Sequence, residues 1–177
     1  MKKPKKRKSE LRTLIENTLQ KYVVPLNCKK VLNAGDNTDK YKKYFDGEYT
    51  TLDKREGADI QADLHDLSQV RKKFDLIICV SVLEHVEFPF LVMQELKMLL
   101  KPGGYLFISV PFFYKYHHGG GYEDYWRFTE KGMDVLVGLE KVLGTSAKKS
   151  SGFCGLYQSE KKAVKIDYEE DMEVIQG

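Results

Sequence analysis

With only three cysteines, Cys28, Cys79 and Cys154, the chain has too few and too widely spaced thiols for a disulfide framework or a CxxC-type zinc site. All three read as reduced, with Cys79 a small apolar residue within its strand. No apolar run approaches the roughly 18 residues that a membrane span needs, and no apolar secretory segment follows the basic N-terminus. A cytoplasmic protein with no membrane span is therefore expected. Repeats and low-complexity segments are absent, and 177 residues suit one domain with a substantial core.

What is present begins with an uneven charge. Residues 1–8, MKKPKKRK, hold six of the 29 Lys and Arg, and without them 23 basic residues face 26 acidic ones, a balance of −3. This divides the chain into a basic arm, 1–8, and a single domain, 9–177. The arm reads as a solvated terminus, with contact to nucleic acid or an acidic surface as the alternative.

Along the chain, Ser9 suits the cap of a helix reaching about Tyr22, with Leu11, Leu14, Ile15, Thr18 and Leu19 at helical spacing and Pro25 beyond its end. KKVLNAG predicts a strand over 30–34, and a short helix over 38–45 follows. EYTTLDK and ADIQADLH predict adjacent strands near 48–53 and 59–63, with Gly57 in the turn, then a polar helix near 66–72. FDLIICVSV is apolar without alternation, as in a strand covered on both faces at the sheet centre. Phe90, Leu91, Met93, Leu96, Leu99 and Leu100 suit a helix from Pro89, stopped by Pro102 and Gly103. The PGG at 102–104 reads as a turn, and YLFISVP as another buried strand. Farther on, SAKKSSGFC and KKAVKIDYE suggest two short antiparallel edge strands, ahead of an acidic tail. Alternating strands and helices predict an α/β, Rossmann-like doubly wound sheet, mostly parallel, with helices on both faces.

The residues closing the strands carry the chemistry, because open α/β sheets bind ligands at the carboxyl ends of their strands. Gly35 lacks a Cβ and permits close backbone approach. Asp53, ending the second strand, stands where a carboxylate accepts from a ribose diol, and Asp63 can accept from an exocyclic amine. The loop after the first strand, Gly35 to Asp39, lacks GxGxxG and any GKS or GKT ending. Its acidic Asp36 and Asp39 suit phosphate poorly and favour a cofactor carrying an ammonium group and a sulfonium, S-adenosylmethionine, over NAD or ATP.

Together, VLNAGDNTD, LEHV and LKPGG resemble the class I S-adenosylmethionine-dependent methyltransferases over roughly 29–138. In that family the first loop reads like VLDLGCGTG, so Asn33 stands for the usual acidic residue, Gly35 for the first glycine, Asn37 for the second and Asp39 for the third. One glycine of three is kept, with Asn37 able to preserve the turn by a positive φ. The resemblance implies that Asp53 binds ribose, that Asp63 and Leu64 contact adenine, and that Val80 and Ser81 deliver backbone to the methionine portion. Glu84 and His85 read either as a satisfied helix-start pair or as substrate contacts.

The segment PFFYKYHHGGGYEDYWRFT, 111–129, resembles a methyltransferase subgroup in which a histidine, a glycine-rich turn and DYWRFT form the substrate side of the pocket. It implies His118 as the catalytic base, His85 as a second candidate, and Tyr125 and Arg127 as acceptor contacts, with Arg127 orienting an anionic or polyhydroxylated substrate. Trp126 and Phe128 are expected to be buried and Thr129 to cap the next helix. No metal is expected, since the adjacent His117 and His118 point apart without a third ligand spaced nearby. The expected function is methyl transfer to a small-molecule or glycan-type acceptor, with O-methylation favoured. RNA or protein methylation tethered by the basic arm is the runner-up. The altered glycine loop and short C-terminal region support a different class, a non-catalytic methyltransferase-like binding module or partner subunit, and an uncovered edge strand would suit a homodimer.

Overall fold

The computed structural model describes residues 9–147 and 151–160, so the basic arm and KKAVKIDYE lie outside the described residues. The aliphatic and β-branched runs form β1 (Lys30–Ala34), β2 (Glu48–Asp53), β3 (Ile60–Gln61), β4 (Phe74–Val80), β5 (Leu100–Pro111), β6 (Glu140–Ser146) and β7 (Gly152–Gln158). Helices α1 (Glu10–Thr18), α2 (Pro89–Met98) and α3 (Glu130–Val137) flank them. The sheet order is β3-β2-β1-β4-β5-β7-β6, which puts β4 fourth of seven. Pairing is parallel from β3 to β5, while β7 runs antiparallel to both β5 and β6. This is the mostly parallel, doubly wound sheet with an antiparallel C-terminal edge that the sequence pattern predicts.

Strand periodicity explains why β4 reads as uniformly apolar. Its side chains alternate between faces. Leu76 and Ile78 pack in one cluster with Ile15 of α1 and the neighbouring Leu19 and Val23; Ile77 and Cys79 pack in the other with Val92, Met93 and Leu96 of α2 and Met133, Leu136 and Val137 of α3. Full burial of each large aliphatic side chain contributes roughly 1.5–3 kcal/mol relative to exposure, so both covered faces help to hold β4 in place. Burial also pushes the Cys79 thiol well above its ordinary range and that of Cys154 up to about 12, keeping both inert.

Several local expectations need correction. Ser9 does cap α1, its Oγ accepting from Arg12 N–H at 3.2 Å, but the helix passes into a π turn at Leu19–Val23 and a 3-10 turn at Val24–Leu26 that contains Pro25, and it ends at the left-handed Asn27. The helix over 38–45 is a single 3-10 turn, Lys42–Tyr44, and β3 is only two residues long. No helix forms near 66–72. There Asp63 Oδ1 accepts from His65 N–H at 2.9 Å and Asp66 Oδ1 from Ser68 N–H at 3.1 Å, local turns that compete with helical bonding. In α2 the buried stripe is Val92, Met93 and Leu96, with Phe90 and Leu91 exposed. The PGG segment bulges within β5, where the register jumps from Phe74↔Leu100 to Leu76↔Tyr105. The C-terminal strands lie over 140–146 and 152–158, earlier than SAKKSSGFC and KKAVKIDYE suggested, because Leu143, Phe153, Leu156 and Tyr157 supply the apolar positions.

Candidate functional site

The carboxyl ends of β1, β2 and β4 open onto one cavity of about 380 Å³, within the roughly 300–1,000 Å³ range of small-molecule sites. Its floor is set by Gly35, whose N–H donates to Leu52 O at 2.7 Å. Its φ of +79° is a conformation that L side chains rarely adopt, and an added Cβ would lie 2.6 Å from both γ-carbons of Val82. From Gly35 to Asp39, only Gly35 lines the cavity. Asp36 Oδ1 accepts from Thr38 N–H at 2.9 Å, Asn37 Nδ2 donates to Glu56 O at 2.9 Å, and the buried Asn33 Nδ2 donates to Thr38 O at 3.4 Å. The non-glycine substitutions are therefore turned into the loop's own bonding. Asn37 does not take the positive φ expected of it; among the described residues Ser81, at +54°, and Asn27 are the non-glycines that do. Ser81 follows β4 and lines the cavity, whereas Val80 packs in the core cluster beneath α1.

Asp53 and Asp63 reach the same cavity. Asp53 is 4 % exposed, and Arg55 holds it with three bonds: its N–H and Nε to Oδ1, each at 2.9 Å, and Nη2 to Oδ2 at 2.6 Å. Burial alone would raise this carboxyl, but the Arg55 hydrogen bonds and charge outweigh it and hold Asp53 below its ordinary range. Asp63 is more open. Its Oδ1 meets His65 N–H and His65 Nδ1 (2.7 Å), which lowers it, and Leu64 supplies an apolar wall beside it.

The far side of the cavity is built from the 3-10 turn Leu83–His85 and the segment after β5. The two are strapped together: Tyr125 and Trp126 N–H donate to Glu84 O at 2.8 and 3.2 Å, and Trp126 Nε1 donates to Val86 O at 2.9 Å. Glu84 is fully buried and neither carboxylate oxygen has a hydrogen-bond partner among the described residues, which goes against the satisfied helix-start pair, one of its two readings. Burial pushes its pKa up to about 8. His85 Nε2 lies 3.7 Å from Glu84 Oε1, while its Nδ1 sits 2.6 Å from Glu123 O. His117 stacks edge-on against His85 with ring centroids 4.8 Å apart, and Tyr122 packs on His85 at 4.5 Å.

Not every residue singled out by sequence reaches this cavity. Of the candidate acceptor-side residues, His85 lines it; the exposed His118 and Tyr125 and the half-buried Arg127 do not. His118 packs against Tyr116 instead, and its neighbour His117 faces inward. Arg127 turns its guanidinium into the loop, where Nη1 and Nη2 grip the two oxygens of Asp124 and Nη1 donates to Trp126 O at 2.8 Å. Asp124 is held far below the usual carboxylate range by that grip. Trp126 is 43 % exposed rather than buried, because its indole covers the Val86 carbonyl from outside. Thr129 caps α3 through Gly132 N–H at 3.0 Å. Sequence reasoning missed His117, Tyr122 and Arg55. A basic residue two positions beyond the strand-end Asp was the available signal for Arg55.

Residues 8–138 match the family described as a methyltransferase domain. Among curated proteins, ubiquinone biosynthesis O-methyltransferases match a short segment: that of Haemophilus ducreyi is 53% identical over 38 residues and that of Glaesserella parasuis 55% over 38, each match covering 22% of this chain and 16% of the relative. The fold is shared with solved structures at low identity. N-methyltransferase NodS from Bradyrhizobium japonicum WM9 superposes with a TM-score of 0.65 at 13% identity, covering 85% of this chain and 97% of that one. The Burkholderia thailandensis 1,6-didemethyltoxoflavin-N1-methyltransferase, solved with S-adenosylhomocysteine, gives 0.64 at 15%, covering 86% and 79%. No helix among the described residues is long and apolar enough to cross a membrane.

Proposed function

Because this chain belongs to the methyltransferase-domain family, we propose that it is an S-adenosylmethionine-dependent enzyme that methylates an oxygen of a small-molecule or glycan-type acceptor. One observation carries the proposal: Gly35, Asp53, Asp63, Leu64 and Ser81 come from four strand ends and line a single cavity. Their chemistry fits the cofactor. Asp53 and Asp63 can accept from a ribose diol and an exocyclic amine, Leu64 offers an apolar wall, and the glycine floor permits close approach. Arg55 is the one group that opposes the fit, since it already holds Asp53. Its side chain is 48% exposed, so it can turn toward solvent. When bound, the cofactor supplies a methyl group on a sulfonium sulfur, open to in-line displacement.

The chain's own contribution is then position, dryness and control of the acceptor's proton. His85, His117 and Tyr122 line the same cavity and are polar groups available to an acceptor hydroxyl. Support for oxygen as the methylated atom comes from the matched segment of the ubiquinone O-methyltransferases, a sixth of their length. The test is binding of S-adenosylhomocysteine. A ligand present at about 100 times its Kd should stabilise the native state by about 2.7 kcal/mol, visible as a raised Tm, and Asp53→Ala should abolish the effect. Absence of any shift at millimolar ligand would instead favour a non-catalytic binding module, and unchanged binding by Asp53→Ala would remove the ribose assignment.

A further inference from the structure

We propose that Glu84, His85 and His117 form a binding site for one divalent first-row transition-metal ion on the acceptor side of the cavity. One ligand atom from each of the three lies within 4.8 Å of those of the others, close enough to converge on a single ion. Two independent features point to a cation. The first is Glu84 itself: it is 0% exposed and both of its oxygens lack a hydrogen-bond partner among the described residues, whereas another buried acid, Asp53, is held by three hydrogen bonds. Buried without a partner, this carboxyl can ionise only at a large desolvation cost, which a bound cation would offset.

The second feature is the way both imidazoles are oriented. His85 Nδ1 faces the carbonyl of Glu123 at 2.6 Å, and a carbonyl can only accept, so Nδ1 carries the proton and Nε2 keeps its lone pair toward Glu84. His117 Nδ1 lies 3.1 Å from Asp124 Oδ2 and 3.2 Å from Lys115 O, both acceptors, which likewise assigns the N–H to Nδ1 and the lone pair to Nε2. Metal-bound histidines characteristically donate their other ring N–H to a carboxylate or backbone carbonyl, and here one does each. Two imidazoles and one carboxylate suit Zn²⁺ or Co²⁺ better than Mg²⁺ or Ca²⁺, which prefer all-oxygen ligands. Three protein ligands also leave a coordination position open, and His85 and His117 border the cavity into which it would face.

The site does not use the His117–His118 pair that argued against a metal in the sequence, because two of its three ligands come from the Leu83–His85 turn and His118 lies outside. An acceptor hydroxyl at the open position would release its proton to water at lower pH, its oxygen keeping the electron pair that forms the new O–C bond as the sulfonium S–C bond breaks and its pair returns to sulfur. This role rests on the methyl-transfer proposal, whereas ion binding does not. The experiment titrates the full chain with Co²⁺, read by visible d–d absorption, and with Zn²⁺, read by calorimetry. One equivalent should bind, and Glu84→Gln and His117→Gln should each weaken binding about a hundredfold or more, since losing even the outer partners of a ligand costs ~10–100-fold. His117 is partly exposed, so its variant tests the site if Glu84→Gln fails to fold. The site is refuted if the folded protein gives neither bands nor heat, or if the folded variants bind as tightly as the parent. S-adenosylhomocysteine binding by the same samples separates the two proposals: cofactor without metal sinks the ion site alone, and metal without cofactor sinks the methyl-transfer reading alone.

Discussion

Arg55→Ala should tighten cofactor binding rather than weaken it. A carboxylate offers about four lone-pair positions. In Asp53 three are used, two on Oδ1 by Arg55 N–H and Nε and one on Oδ2 by Nη2. A ribose diol brings two hydroxyl hydrogens, so at least one guanidinium bond must break before both can be accepted. A hydrogen bond to a charged group is worth about 1.5–3 kcal/mol. The Arg55 side chain is 48% exposed, so solvent screening reduces the net loss to about 1 kcal/mol. Removing the competitor should therefore strengthen S-adenosylhomocysteine binding ~5-fold, measured by calorimetry at fixed ionic strength. The unliganded protein should move the other way, losing up to about 1 kcal/mol in urea titration because Asp53 is left buried without its partner. A variant that binds the ligand fivefold more weakly would refute the reasoning and make Arg55 a cofactor contact rather than a plug.

Two further outcomes test the scaffold beneath the site. Gly35→Ala should destabilise the fold by about 1–3 kcal/mol, because the new methyl meets both Val82 γ-carbons at 2.6 Å in a backbone unsuited to alanine; urea midpoints check this, and Gly35→Ala with Val82→Ala should recover part of the loss. Asp75 accepts from Lys29 and Lys30 N–H at 3.1 and 2.8 Å and pairs with Lys101 Nζ at 2.5 Å. Burial works against its charge, but these bonds win and its folded pKa is lowered. Its stabilisation is thus fully present above the unfolded carboxylate range and is lost as pH falls through the folded value. Asp75→Asn should reduce stability at pH 7 by roughly 1–2 kcal/mol and flatten the acid limb of a stability-versus-pH curve; an unchanged acid limb would show that the Asp75 pairing is inert.

The sheet was legible because its strands obey simple signals. β1 is an apolar run ended by Gly35, β2 a β-branched run ended by Asp53, and β4 an apolar run covered on both faces, as Leu76 and Ile77 packing into opposite clusters requires. The polar stretch after β3 was not legible as a loop, because helical propensity is a weak prior and the turns at Asp63 and Asp66 override it. At the site, strand-end position alone led to Gly35, Asp53 and Asp63, since backbone direction determines where those side chains arrive. The acceptor side has no such rule. That adjacent His117 and His118 point apart follows from chain geometry, but which one faces inward depends on Asp124, whose Oδ2 accepts from His117 N–H at 2.8 Å.

The charged residues of the DYWRF run show why chemical type misleads there. Arg127 has the fork to hold an anionic substrate, yet Asp124 takes that fork, and the pair also receives His117 N–H and reaches the carbonyls of Tyr114 and Lys115 at 3.4 Å. A carboxylate so fully satisfied has little left to offer a ligand; its work is to fix the loop. The same loop donates backbone N–H groups to Glu84 O, so one strap sets His117 and Glu84 in the same frame. Nothing in that frame satisfies the Glu84 carboxylate. A fold that spends a buried Asp–Arg pair on positioning while leaving its neighbouring buried acid unpaired has kept that acid for something outside the chain, and the lone pairs of His85 and His117 indicate a cation.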